Sequence, residues 1–286
     1  MNQYKYYFIT LLASIIYALY IVVNKEFLHR DFNPIMFAFG SSLFGTILCF
    51  FILLFSSDLT HLSNVKNGIW KKVIIYGLIA GVVARTLLFF GQSYISATNA
   101  GFLLGGSRPI FSFIFGYVFM RETIYKSQAL IILIMIFGVF LLTSNGQMSI
   151  HTGDILLILC GMILGSSHAL SRQITRSGLH PLALTFFEML VSTAGLLIIA
   201  FLTASISFSG WSGWFLSGLF ISLGVAMRNT ALSHIKAPIF SSLVLTSPVF
   251  SAFIGITFFN EKLGHIQLLG GLIILLGGYI LIWIKK

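Results

Sequence analysis

Apolar residues come along this chain in runs of roughly twenty, separated by short polar connections, and the runs do not alternate apolar with polar. A bilayer core of about 30 Å needs about 20 helical residues to cross it, whereas barrel strands would be about 10 residues long with alternating polarity. The pattern predicts ten spanning helices, over roughly 4–24, 34–56, 72–93, 97–120, 126–144, 154–174, 181–203, 211–232, 238–259 and 266–284. The longest connection lies between Ser57 and Lys71, which leaves no room for a soluble domain and hence for a conventional catalytic fold outside the membrane.

One stretch occurs twice. Pro109-Ile110-Phe111-Ser112 leads through Gly116 to Glu122, then Gln128, Gly138 and Leu142, and Pro248-Val249-Phe250-Ser251 leads through Gly255 to Glu261, then Gln267, Gly277 and Leu281. The offset is 139, and twelve of the thirty-five positions from Pro109 to Thr143 are identical. Shared Leu and Ile mean little in so apolar a chain, but Pro, Glu, Gln and two Gly at fixed spacing indicate duplication. The earlier helices match at an offset of 147: Pro34 with Pro181, and Lys25 with Arg172. The offset changes between helices 2 and 3, where the first half has about eight extra residues after Ser57. The chain therefore divides into five helices plus five, residues 1–146 and 147–286. Five is odd, so the halves cross the membrane in opposite senses.

Composition agrees with membrane residence. The chain is 57% hydrophobic and 8% charged, against about 25% charged in a soluble domain, with a mean hydropathy of +0.98. The net charge of +10 would suit nucleic acid in a soluble protein. Here it belongs to loops. With the N-terminus inside, eleven Lys and Arg fall on inner loops and tails and only Lys25, Arg30 and Lys262 on outer ones. That asymmetry predicts both termini in the cytoplasm and a place in the cytoplasmic membrane. Trp70, Trp211, Trp214 and Trp283 fall at span ends, where an indole buries its ring and keeps its N–H wet. Lys5 precedes the first apolar run as in a signal peptide, but no small-residue cleavage site follows, so that run is read as an uncleaved helix. Cys49 and Cys160 lie inside spans and suggest neither a disulfide framework nor a metal site.

Paired five-helix halves, each with Pro-x-Phe-Ser in its fourth helix followed by Gly, Glu and a Gly-bearing fifth helix, resemble the EamA family of the drug/metabolite transporter superfamily. The resemblance covers essentially the whole chain. It implies an all-α integral membrane protein of ten transmembrane helices in two inverted repeats. It also implies a central cavity lined mainly by helices 3, 4, 8 and 9 with help from 1 and 6, alternating access, and commonly export of amino acids or related metabolites. The first half departs from the pattern where Tyr17-Ala18 stands opposite Leu164-Gly165.

Chemistry is best sought where the repeat fails. Arg85, Arg108, His168, Glu188 and Arg228 are expected well inside spans, and their counterparts Gly224, Ser247, Ile21, Ser41 and Phe89 cannot ionise. A charge at helix centre costs about 2.5–3.5 kcal/mol on insertion scales, and such residues usually face a cavity or a partner. Arg108 lies about eleven residues into helix 4, or about 16 Å at 1.5 Å per residue, near the midplane and beside Pro109, whose missing N–H loosens the helix. We read Arg108, Arg85, Ser107 and Ser247 as substrate-binding candidates. Glu188 and Arg228 are read as a buried ion pair or, for Glu188 with His168, as proton-coupling groups. Asn24, Gln92 and Asn99 are vestibule candidates near the outer ends. Glu122 and Glu261 are read as first-turn acids of helices 5 and 10. Gly101, Gly105 and Gly106 of helix 4 and Gly270, Gly271, Gly277 and Gly278 of helix 10 are read first as helix-packing positions, with space kept open for a ligand as the alternative reading on helix 4.

The excess of intramembrane Arg over Glu, three against one, favours a small-molecule substrate with a carboxylate or similar anion. The expected partners are that substrate and the lipid bilayer, with no nucleic acid; a homodimer is compatible with the chain. No metal or cofactor motif is seen. The function expected is a secondary transporter, probing first for export of an amino acid or derivative. The alternatives are an importer of a vitamin-like or nucleotide-related metabolite, an integral membrane enzyme and a channel. Against an enzyme stands the lack of a His-Glu-x-x-His, an Asp-rich motif or a Ser/Lys or Ser/His pair.

Overall fold

A computed structural model describes residues 3–28, 33–55, 67–95, 97–122, 125–144, 152–203, 210–259 and 264–284. They form ten helical segments, numbered here in chain order. The first half comprises α1 (Gln3–Leu28), α2 (Pro34–Phe55), α3 (67–94), α4 (Ala97–Met120) and α5 (Lys126–Ser144). The second comprises α6 (Thr152–Arg176), α7 (Pro181–Thr203), α8 (Trp211–Leu232), α9 (237–259) and α10 (His265–Trp283). Nine are long and apolar enough to cross a membrane, and α5 carries a slightly shorter apolar stretch, Lys126–Leu142. The loop holding the first half's extra residues and Glu261 lies outside the described residues.

Local chemistry sets the ends. The Asn33 side-chain oxygen accepts from the backbone N–H groups of Ile35 (2.9 Å) and Met36 (3.3 Å), with Pro34 at the first helical position, where its missing N–H costs nothing. α3 begins five residues earlier than the apolar pattern predicts, because Lys71 and Lys72 sit on the helix with their heads outward rather than in the loop. It then widens into a π segment over Gly77–Val83. α9 tightens to a 3₁₀ turn over Val244–Thr246, just before Pro248. Pro109 sits inside an otherwise continuous α4. Each proline lacks the N–H that would reach the carbonyl four residues back; in α9 that carbonyl, Val244, accepts from the Ser247 N–H instead.

The packing obeys the internal symmetry. α4 lies along α6 as α9 lies along α1; α3 lies along α6 as α8 lies along α1; α3 meets α7 as α8 meets α2. α2 meets α7, and α5 meets α10, across the axis. Exchanging each first-half helix for its repeat partner returns these contacts. The molecule is thus two inverted five-helix repeats. Gly138 and Gly270 allow the closest α5–α10 approach: a Cβ at Gly270 would lie 2.5 Å from the Gly138 carbonyl oxygen. Gly105 and Gly106 follow the alternative reading of the helix 4 glycines rather than close packing. A Cβ at either would meet only ordinary contacts of 3.5 Å or more, so these glycines leave space instead of closing it. The tight side of α4 is made by Gly165 of α6, where a Cβ would lie 2.6 Å from the Arg108 carbonyl oxygen.

Both ends of the described chain lie on one face, with the Tyr4 and Trp283 rings 5.5 Å apart. Trp211 and Trp283 are 69% and 55% exposed, as the interfacial reading expects, but Trp214 is 4% exposed. Its indole packs on Gly40 of α2 and edge-on to Phe39, so it is a core residue and not an interfacial anchor.

Candidate functional site

Seven helices (α1, α3, α4, α6, α7, α8 and α9) enclose a cavity, whose walls include Tyr17, Tyr20, Leu88, Leu164, Ile221 and Phe240. All five ionisable residues expected inside spans line it: Arg85, Arg108, His168, Glu188 and Arg228. The helices implied by the family resemblance are present, and α7 joins them through Glu188. The free volume is about 40 Å³, room for a few waters, so the walls stand close together in this form.

Toward the face carrying the chain ends, the cavity is closed by a polar cluster. An Arg228 guanidinium nitrogen donates to both Glu188 oxygens (2.7 and 2.5 Å) and to the Tyr76 hydroxyl (2.5 Å). Asn229 is the hub. Its Oδ1 accepts from Ser171 (2.8 Å), Tyr76 (3.2 Å) and Arg228 (3.4 Å), and its Nδ2 donates to Thr185 (3.0 Å) and Glu188 (3.5 Å). The cluster joins α3, α6, α7 and α8, and with both charges buried and paired it is satisfied internally.

The opposite end is closed by rings. Phe89 stands at the position that the repeat relates to Arg228, and its ring lies 5.6 Å from Phe37 and 6.2 Å from Tyr20, with Phe27 stacked on Phe37 at 5.9 Å. Beyond the rings Asn24 accepts from Ser217 (2.7 Å) and donates weakly to Gln92 (3.5 Å). The side chain of Asn99 lies outside the described residues.

Between these ends the charges do not balance. Arg85 donates to the Ser42 hydroxyl (2.5 Å) and to the Met189 sulfur (2.9 Å), neither of which is an anion. Arg108 makes no ion pair among the described residues, and its Nε is buried without a hydrogen-bond partner. The lining thus holds three guanidiniums against one carboxylate. His168 Nδ1 meets the Ser241 hydroxyl at 2.7 Å, and its ring lies edge-on to Phe240.

Arg108 also borders a side chamber of about 10 Å³, shared with Gly105, Val244, Ser241 and Ser247. The repeat-related Arg108 and Ser247 therefore meet at one chamber, where the Ser247 hydroxyl is buried without a partner. Ser107 does not join them. Its hydroxyl returns to the Leu103 carbonyl (2.5 Å), and it packs on Gly161 of α6, because it is one residue, about 100° of helix, away from Arg108.

Glu122 departs from its expected role. Helix α5 begins at Lys126, and the Glu122 carboxylate turns instead to α9, accepting from the Ala237 N–H at 3.1 Å, and to the buried Arg172 guanidinium. Sequence reasoning also missed Tyr76 and Asn229. The neighbouring Arg228 was the only signal for Asn229, and a tyrosine at the head of an apolar run gives none.

The EamA-like transporter family profile matches residues 4–144 and again 151–283. The chain belongs to the EamA-like transporter family. This EamA protein is 24% identical over 242 residues to the uncharacterized transporter YyaM of Bacillus subtilis, covering 79% of this chain and 77% of the relative. A second relative, an uncharacterized transporter of Methanothermobacter thermautotrophicus, is also 24% identical over 242 residues, covering 78% of this chain and 68% of that one. A protein of known crystal structure superposes with a TM-score of 0.75 at 16% identity, over 96% of this chain and 95% of its own, which shows a shared fold. The protein is thus a multi-pass membrane transporter with a small-molecule substrate.

Proposed function

We propose that this EamA protein is a secondary transporter for a small metabolite carrying a carboxylate or similar anion, exporting it across the cytoplasmic membrane by alternating access, with both termini inside. In this reading residues 1–146 and 147–286 rock against each other around the cavity. The observation that carries it is Arg108. A guanidinium held away from bulk water without an anion is costly; Arg108 is only partly exposed, its Nε is buried without a partner, and it shares the cavity wall with Arg85, which also has no carboxylate partner among the described residues. A substrate anion supplies the missing charge, and guanidinium holds a carboxylate through two parallel hydrogen bonds. Ser247, with its unpartnered hydroxyl in the adjoining chamber, offers a contact to a second polar group. The apolar walls suit a substrate with an aliphatic or aromatic part. An amino acid or derivative meets these requirements.

The test is counterflow in proteoliposomes with a panel of amino acids, their N-acyl derivatives and the matching amides. Carboxylates are expected to exchange and amides to fail. Arg108→Lys, which keeps charge but not bidentate geometry, is expected to fold and to lose at least tenfold in apparent affinity. Equal exchange of acids and amides, or an Arg108→Ser protein with unchanged rate and affinity, would show that Arg108 does not hold the substrate.

A further inference from the structure

On the face that carries the chain ends, one buried cluster grips the turn between α8 and α9 from both sides. Arg172, near the end of α6, donates to the Leu232 carbonyl at 2.8 Å and to the Ile235 carbonyl. Glu122 accepts from the Ala237 N–H at 3.1 Å and pairs with Arg172. Leu232 ends α8 and Ala237 begins α9. The cation therefore sits on the carbonyl end of one helix and the carboxylate on the amide end of the next, each matching the helix dipole it meets. Glu122 is brought there at a cost in backbone geometry. Arg121 adopts a left-handed conformation (φ 51°), and the Glu122 N–H returns to the Gly116 carbonyl at 3.0 Å, closing α4 in the manner glycine usually allows.

The repeat supplies a counterpart at the opposite face. Lys25 occupies the position related to Arg172, and its ammonium donates to the Gln92 carbonyl, 3.0 Å away, near the end of α3. The α3–α4 and α8–α9 turns are thus held by equivalent cations from α1 and α6. These same four helices carry Arg85, Arg108, Arg228 and Phe240 of the cavity wall. The two grips are unequal. Arg172 is buried, meets two carbonyls and has a carboxylate, whereas Lys25 is partly exposed and meets one carbonyl.

We propose that Glu122 and Arg172 form a latch that holds the α8–α9 turn shut on the face of the chain ends, and that Lys25 on the Gln92 carbonyl is its weaker counterpart at the opposite face. The proposal rests on the alternating-access reading above. A cycle that opens the cavity to the first face must release Arg172 from the turn, and one that opens it to the second must release Lys25.

The experiment uses the full chain with Cys49→Ala and Cys160→Ala and a single reporter, Leu164→Cys, in the cavity wall. Membrane vesicles of each orientation are treated with a membrane-impermeant maleimide, and the ratio of labelling rates from the two faces is measured. Glu122→Gln keeps an acceptor for the Ala237 N–H but removes the charge that holds Arg172. It is expected to raise labelling from the face of the chain ends, relative to the other, at least tenfold, or about 1.4 kcal/mol. Lys25→Met is expected to move the ratio the other way. Should Glu122→Gln not give monodisperse protein, Arg172→Lys, which loses one carbonyl bond but keeps the charge, is expected to move the ratio about threefold in the same direction. A folded Glu122→Gln or Arg172→Lys protein with an unchanged ratio overturns the latch, as does a shift in the same direction for Glu122→Gln and Lys25→Met. Fast labelling of the parent from both faces at once overturns alternating access and the latch with it; slow labelling from one face together with an unmoved ratio overturns the latch alone.

Discussion

Replacing Glu188 by Gln is the most informative single perturbation of the cavity. The carboxylate receives both short bonds from Arg228 and a long one from Asn229, and all three side chains are buried. Breaking a buried pair by removing one charge costs about 3–5 kcal/mol, because the other is stranded. Gln is isosteric and keeps one carbonyl oxygen for Arg228, and the Tyr76 hydroxyl and Asn229 Oδ1 still accept from the guanidinium. The lower end of the range, about 3 kcal/mol, therefore applies. At about 2–4 °C per kcal/mol for a chain of comparable size, the midpoint should fall by roughly 6–12 °C. The assay is thermal denaturation in detergent, followed by the fraction that remains monodisperse after heating. Removing the stranded charge with Arg228→Met in the Glu188→Gln background should recover at least half of the loss, since the methionine stem fills most of the same space. Transport should not return, because Arg228 also faces the cavity. A Glu188→Gln protein that melts with the parent would refute the reasoning, as would a double variant less stable than the single one.

Three further outcomes are expected. Tyr76→Phe removes one acceptor from Arg228 and one donor to Asn229, and should cost about 1.5–3 kcal/mol in the same melting assay. Gly40→Ala places a methyl against the Trp214 ring and should cost about 1–3 kcal/mol by overpacking, with Trp214→Leu in the same chain relieving part of it. Cysteines placed at Gln3 and at Ile284 should react with an impermeant reagent from the same side of the membrane, and one at His265 from the other; reaction of all three from one side would contradict the ten-helix topology.

Much of the architecture could be read from the residues because two signals are local: unbroken apolar runs and a repeat marked by Pro, Glu, Gln and Gly. The five ionisable residues of the cavity wall were also legible, since a charge inside an apolar run stands out by its cost alone. What could not be read was orientation around a helix. Ser107 and Arg108 are neighbours in sequence and face different helices, and Gly105 and Gly106 border open space although glycine in a span usually marks close packing. Trp214 looks like Trp211 in sequence, and only the presence of Gly40 on α2 opens a buried slot for it. Glu122 and Arg172 were each visible as repeated positions, but their meeting depends on a left-handed turn at Arg121 and on the approach of the α8–α9 turn, neither of which any run or spacing encodes.

The exchange of Arg228 for Phe89 across the repeat has a thermal consequence. Parting the Phe89, Phe37 and Tyr20 rings wets apolar surface, which carries a positive heat capacity; wetting polar groups, as when the Glu188 and Arg228 cluster parts, contributes with the opposite sign. The enthalpies of the two openings therefore diverge as temperature changes. Near the cold limit the apolar closure weakens while the ionic one is kept, so under the alternating access proposed above cooling is expected to tilt the resting population toward the form open on the ring side. Two halves built on one helical plan would then form a carrier whose resting sidedness depends on temperature.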